Sequence, residues 1–146
     1  MIKKGLYLGL AMMVMTLTGL AQYGTMSQRQ VKDLISDTHS MAARFEKDLD
    51  KALDKSIVDD TKAEERNNER ADDLEDQLNQ AKGNVDDPDD FKEHLDSALQ
   101  AAFDVEKLMG EHRFSEQLTN DWQMLRTNLN RLAGLVDLKP IAANMH

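Results

Sequence analysis

The clearest apolar periodicity in the chain runs from Leu118 to Val136 and predicts an amphipathic helix. Its apolar residues recur at spacings of 4, 3, 4, 3 and 4, and they are Leu118, Trp122, Leu125, Leu129, Leu132 and Val136. This spacing places all of them on one stripe of a helix, with polar residues opposite. Because such a helix is not stable alone, partner helices must cover the stripe. We therefore predict that Trp122, the only tryptophan, is a core residue.

A second long apolar stripe predicts a helix over residues 28–57. It comprises Val31, Ile35, Thr38, Ala42, Phe45, Leu49, Ala52 and Ser56. Asp59-Asp60-Thr61 interrupts it, and Thr61 with Glu64 matches a capping box that would start the next helix, over 61–82. The first half of that helix has no large apolar residue. Since no Pro or Gly lies between the two helices, a single continuous helix is an alternative.

Residues 83–90 combine a helix stop with a helix start. Gly83-Asn84 is typical of a helix end. Asp87 suits the N-cap and Pro88 the first helical position of a third helix. Its stripe consists of Phe91, Leu95, Ala98, Ala102, Val105, Met109 and His112. Ser115 is then the expected N-cap of the last helix.

Amphipathic helices with short connections are expected to be antiparallel neighbours. We predict an all-α, up-down-up-down four-helix bundle over residues 28–137, with coiled-coil-like seams between helices. If the first two helices fuse, a bundle of three elements with one long helix is the fallback. The tail, residues 138–146, contains Pro140 and is expected to be loose.

The first 21 residues have the layout of a secretory signal peptide. Lys3 and Lys4 precede the uncharged stretch 5–20, and small residues lead to a predicted cleavage after Ala21. The 16 residues of this stretch fall short of the ~20 that span a bilayer, although an uncleaved anchor is the alternative. We therefore expect an exported protein, periplasmic or secreted, with residues 22–27 as a flexible lead-in. Without any Cys it must be held together by packing.

The net charge of the chain indicates which classes of partner it could bind. The chain has 27 acidic and 18 basic residues, a net charge of −9, which disfavours binding to nucleic acids. We expect an unknown protein partner or self-association, and membrane contact only if the signal segment is uncleaved.

Patterns that would indicate catalysis or a cofactor are missing from the sequence. None of the four histidines follows a Glu by three residues, as di-iron bundles require. Covalent haem attachment needs Cys, and neither a phosphate-binding loop nor a Gly-x-Ser-x-Gly motif occurs. His94 and His112 lie five helical turns apart, ~27 Å, too far to share a metal. We therefore expect no enzyme, no cofactor and no metal site.

Several short segments resemble one family. They are Thr61, Ala63-Glu64, Arg66, Val105-Glu106-Lys107-Leu108-Met109, His112-Arg113, Asp121-Trp122, Leu125-Arg126, Leu129 and Leu132-Ala133. Together they are similar to an uncharacterised family of exported all-helical hypothetical proteins of soil bacteria, of the acidobacterial type. The resemblance implies export and an all-helical fold, and it implies no activity.

These observations favour a non-catalytic exported helical bundle with an interaction or envelope-accessory role. A periplasmic chaperone or stress-sensor bundle is the alternative, but the Leu-Thr-x-x-Gln signature of such proteins is only approached, since Gln123 follows Leu118-Thr119 one residue late. An enzyme of unknown type is the third hypothesis.

A partner is predicted to dock at the end of the bundle that collects the first and third connections. The predicted binding residues are Ile57, Val58, Glu64, Arg66, Arg70, His112, Phe114 and Leu118. Ile57, Phe114 and Leu118 would form the apolar floor and charged residues the rim. The alternative is a solvated, slightly splayed helix end, because a polar half-helix is tolerated where neighbours supply the core.

Overall fold

The computed structural model describes residues 26–54 and 62–142, with the backbone alone for residues 62–65. Over these ranges the chain forms four helices: α1 (Gln28–Asp54), α2 (Lys62–Gly83), α3 (Pro88–Glu111) and α4 (Glu116–Leu135). The predicted helix over 28–57 is thus confirmed as far as residue 54. Residues 55–57 and Thr61 lie outside the described residues, as do the signal segment and most of the lead-in.

The helices form an antiparallel four-helix bundle, as predicted. Each helix packs against its neighbour in the chain, and α4 closes the ring against α1. An amide nitrogen of Asn68 lies 3.0 Å from a carboxylate oxygen of Asp50. At the other end of the same pair, Lys32 lies 3.3 Å from Asp86. Because α1 and α2 lie side by side in opposite directions, the alternative of one fused helix is wrong.

Two of the predicted helix starts, those of α3 and α4, are confirmed. The Asp87 side chain accepts a hydrogen bond from the backbone N–H of Asp90 at 3.3 Å, with Pro88 in the first turn. The Ser115 hydroxyl accepts from the N–H of Leu118 at 3.1 Å. Each cap satisfies one of the amide groups that a helix start leaves without a partner.

α1 begins with a capping box that we had not predicted. The backbone N–H of Ser27 donates to Oε1 of Gln30 at 2.9 Å, and the N–H of Gln30 lies 3.2 Å from the Ser27 hydroxyl. A serine followed three residues later by glutamine is the signature of this motif. The signal was therefore present in the sequence.

The core is one continuous cluster that draws on all four helices. Its largest fully buried side chains are Trp122, Phe45, Phe91, Ile35, Leu49, Leu53, Leu74, Leu78, Leu95, Leu125 and Leu129.

 The α2–α3 pair is the most closely packed. These two helices carry five of the buried alanines, whose small side chains allow backbones to approach closely: Ala71, Ala81, Ala98, Ala101 and Ala102.

α4 ends in a turn that sends the chain back along the same helix. Asp137 adopts the left-handed conformation, with φ 56°. The N–H of Leu138 bonds to the carbonyl of Ala133 at 2.9 Å, the long-range bond of a Schellman motif. Glycine is the usual residue at such a position, so an aspartate there is uncommon.

The segment after this turn packs against the bundle, which differs from the loose tail that we had predicted from residue 138. Ile141 is only 6% exposed. The Asn130 side chain accepts a hydrogen bond from the N–H of Ile141 at 2.8 Å and donates one to its carbonyl at 3.0 Å. Residues 138–142 are therefore held in place, while residues 143–146 lie outside the described residues.

Within residues 26–54 and 62–142, no helix is long and apolar enough to cross a membrane.

Candidate functional site

Of the eight predicted binding residues, the five whose side chains the structure describes do not share one groove. Ile57 and Val58 lie outside the described residues, and so does the side chain of Glu64. Arg66, Arg70 and His112 line one groove. Leu118 lines another groove, between α1 and α4. Phe114 is half-buried and packs against the core. Since α2–α3 and α1–α4 are opposite sides of the ring, these residues face two different directions.

The first of these, the α2–α3 groove, lies at the predicted end of the bundle. It has a volume of about 400 Å³ and is lined by Arg66, Asn67, Arg70, Asp104, Lys107, Leu108, Glu111 and His112. Leu108 is only 4% exposed and supplies the apolar part of the floor. Of the predicted floor residues, Ile57 lies outside the described residues, and Leu118 is buried and lines the α1–α4 groove instead.

Charged side chains dominate the rim of the α2–α3 groove. The Arg70 guanidinium lies 3.1 Å from a carboxylate oxygen of Asp104 on the facing helix and 3.4 Å from Asp73 one turn along. These bonds orient Arg70 across the groove. With Arg66 and Lys107, the lining carries three basic and two acidic side chains in a chain of net charge −9. The groove is therefore locally more positive than the chain as a whole.

His112 caps the end of α3 beside this groove. Its backbone N–H bonds to the carbonyl of Leu108 at 3.2 Å. Its exposed ring lies 6.1 Å, centroid to centroid, from the ring of Phe114, tilted by 59°. His112 thus ends the apolar stripe at the surface and is available for contact with a partner.

The α1–α4 groove consists of two adjoining cavities. One, of about 340 Å³, is lined by Met41, Arg44, Phe45, Asp48, Gln117, Asp121 and Met124. The other, of about 180 Å³, is lined by Asp48, Ala52, Ser115, Gln117, Leu118 and Asp121. Met41 on α1 and Met124 on α4 lie next to the apolar stripes of their helices. Their sequence positions indicate this groove only once it is known that α1 packs against α4.

A buried polar cluster was also missed. Trp122 is 2% exposed, as predicted for a core residue, and its ring lies 5.3 Å from that of Phe45. Its indole N–H donates to Glu106, whose side chain is 7% exposed. Arg126 donates to the other carboxylate oxygen of Glu106 at 2.8 Å. Because both oxygens have donors, this buried carboxylate is a satisfied structural group.

A third group of polar side chains lies on α2. Oxygens of Asp72, Glu75 and Asp76 come within 4.8 Å of one another, and Nε2 of His39 lies 2.7 Å from Glu75. Burial and the neighbouring Glu75 raise the pKa of Asp76 above its ordinary value. Carboxylate oxygens suit hard cations such as Ca²⁺, but exposed acidic groups of this kind are common without an ion. We assign no metal here.

No protein-family model, no curated protein and no solved structure matches the chain. The interpretation of function therefore depends on the grooves and on the sequence. The resemblance to exported proteins of soil bacteria stays a prediction.

Proposed function

We propose that this protein is a non-catalytic, exported helical bundle that acts by binding a partner protein, with the α2–α3 groove as a binding surface. The observation that carries the proposal is the grouping of Arg66, Arg70 and His112, three of the predicted binding residues, around one groove at one end of the bundle. A charged rim around a small apolar floor is a common composition for a protein–protein contact.

The electrostatics of the groove support a protein partner rather than a nucleic acid. The Arg70–Asp104 pair crosses the groove and holds a guanidinium edge at its mouth. Arginine is enriched at protein interfaces, where it forms both hydrogen bonds and stacking contacts. Acidic side chains beside the basic ones would repel a phosphate backbone. Export is supported by the basic start and uncharged stretch 5–20.

Site-directed photo-crosslinking in the native host tests this proposal. A photoreactive residue at Lys107, exposed at the groove, should give a discrete crosslinked protein. The same residue at Lys92, exposed on the same helix at its other end, should not. Adducts of equal yield at both positions, or at Lys92 alone, would reject the groove as the binding surface.

Hydrogen exchange gives an independent test once the partner is in hand. Addition of the partner should slow exchange of backbone amides at residues 62–70 and 109–118. Protection confined to residues 84–95 would place the contact at the opposite end of the bundle and reject the proposal.

A chaperone-like role is the second candidate, because two large apolar side chains are exposed on separate sides. Phe103 is 62% exposed and Met124 is 61% exposed. Exposed apolar side chains are the groups through which a chaperone would contact unfolded segments. The test is suppression of client aggregation by equimolar purified protein. A double variant, Phe103→Ser with Met124→Ser, should lose most of that suppression. If wild-type protein leaves aggregation unchanged, this candidate is rejected.

A further inference from the structure

The α1–α4 groove is long enough for a short helix to lie along it. Its two cavities share Asp48, Gln117 and Asp121, so they form one continuous depression. Along α1 it runs from Met41 to Ala52. At 1.5 Å per residue this is ~16 Å, or ~3 turns of a helix.

Apolar side chains form the smaller part of this groove, among a mostly polar lining, and part of this apolar surface is adaptable. Phe45 is 2% exposed and rests against the ring of Trp122, so it forms a fixed base. Met41 is half-buried, with its sulfur 3.2 Å from the amide nitrogen of Asn128, which marks one end of the groove. Met124 is 61% exposed on the α4 side. Methionine side chains are flexible and polarisable, and they adjust to the shape of an apolar partner.

The charged side chains around the groove determine which sign of charge a partner should carry. Asp48 and Asp121 line both cavities, one from each helix, and Arg44 is the basic residue of the lining. The chain as a whole carries −9. The local rim and the overall field therefore both favour a cationic partner and disfavour an acidic one.

We propose that the α1–α4 groove binds a cationic amphipathic helix of a partner protein. Apolar side chains at i, i+3 or i+4, and i+7 of that helix would contact Met41 and Met124, above the base that the buried Phe45 forms. Lysine or arginine side chains flanking this face would lie beside Asp48 and Asp121. This surface is on the other side of the ring from the α2–α3 groove, so the inference does not depend on the function proposed above.

Fluorescence anisotropy with synthetic peptides tests the inference. The probe is a fluorescein-labelled peptide of about 14 residues, with leucines at helical spacing on one face and lysines on the other. One control peptide has the same composition with leucine and lysine alternating, and a second has glutamate in place of lysine. The purified protein should bind the probe at least about tenfold more tightly than either control.

Two groove variants and one control variant locate the binding. Met124→Ser, at an exposed position in the groove, should weaken binding of the probe about tenfold, and Asp121→Lys should do so while improving binding of the glutamate peptide. Phe103→Ser, at an equally exposed apolar position elsewhere, should change the affinity less than about twofold. Failure of the probe to bind would overturn the inference. So would equal loss with Met124→Ser and Phe103→Ser, which would instead indicate unspecific binding to exposed apolar groups.

Discussion

The indole N–H of Trp122 donates a hydrogen bond to a carboxylate oxygen of Glu106 in the interior of the bundle. The bond joins α4 to α3 across a seam where the backbones are less closely packed than those of α2 and α3. Arg126 completes the cluster from the more exposed side. A tryptophan that supplies both apolar area and a donor thus fixes how α4 lies against α3.

Removing Glu106 should destabilise the fold. Glu106→Ala leaves the Trp122 N–H and the Arg126 guanidinium without this acceptor, and we expect a loss of about 3 kcal/mol in the free energy of unfolding. Urea denaturation measures it. Glu93→Ala, at an exposed position on the same helix, is the control and should stay within about 0.5 kcal/mol of wild type. Equal midpoints for the two variants would contradict the structural role of Glu106.

Truncating Trp122 should cost more than truncating any exposed residue of the same helix. Trp122→Ala leaves a large cavity beside Phe45 and should lower the free energy of unfolding by ~3–5 kcal/mol. Met124→Ala, two residues away and largely exposed, should change it by less than about 0.5 kcal/mol. A thermal melt of Trp122→Ala that coincides with wild type would mean that the ring is exposed in solution.

Neutralising Glu46 should stabilise the protein at neutral pH. Burial, followed by the charges of Asp72 and Glu75, raises the pKa of Glu46 above its ordinary value. Because the folded state then binds the proton more tightly than the unfolded state, the ionised form destabilises the fold above the folded-state pKa, and this effect disappears as the pH falls below the unfolded-state pKa. Glu46→Gln should therefore raise the urea midpoint at pH 7.

The same variant should lose its advantage in acid. Below about pH 4, near the ordinary pKa of a glutamate, wild type and Glu46→Gln should unfold at the same urea concentration. A lower midpoint for the variant at pH 7 would show that Glu46 makes a favourable ionic contact instead.

Breaking the contact between Asn130 and Ile141 should release the tail. Asn130→Ala removes a donor and an acceptor that bind the backbone of Ile141, and we expect a loss of about 1–2 kcal/mol. The amide of Ile141 should also exchange faster with solvent in this variant. Asn120→Ala, at an exposed position of α4, is the control. Unchanged exchange at Ile141 would mean that Asn130 does not hold the tail.

The helices and two of their starts could be predicted because their signals are local. An apolar stripe can be recognised within the sequence of a single helix. Asp87 and Ser115 accept hydrogen bonds from amides only three residues away. Glu106 could not be predicted in the same way. An acid next to an apolar stripe is usually solvated, and its partners Trp122 and Arg126 are 16 and 20 residues further along the chain.

The candidate site was predictable only where its residues belong to one helix. Arg66 and Arg70 are one turn apart, so their common face follows from the sequence. Grouping them with His112 requires knowing that α2 packs against α3. The short connection between these helices indicates this, because it makes them antiparallel neighbours. The position of Leu118 beside the α1–α4 groove could not be predicted, because periodicity assigns it to the core but does not say which pair of helices it lies between.

The ring of helices has consequences for the order of folding. Three of its seams join helices that follow one another in the chain and can form as local hairpins, whereas the α1–α4 seam joins the first and last described helices. Its formation must overcome the largest loop-closure entropy, and such contacts set the pace of folding in small domains. The Phe45–Trp122 contact belongs to this seam. A newly made chain would therefore expose these two aromatic rings until synthesis has passed α4, and the seam between them would be the last to exclude water.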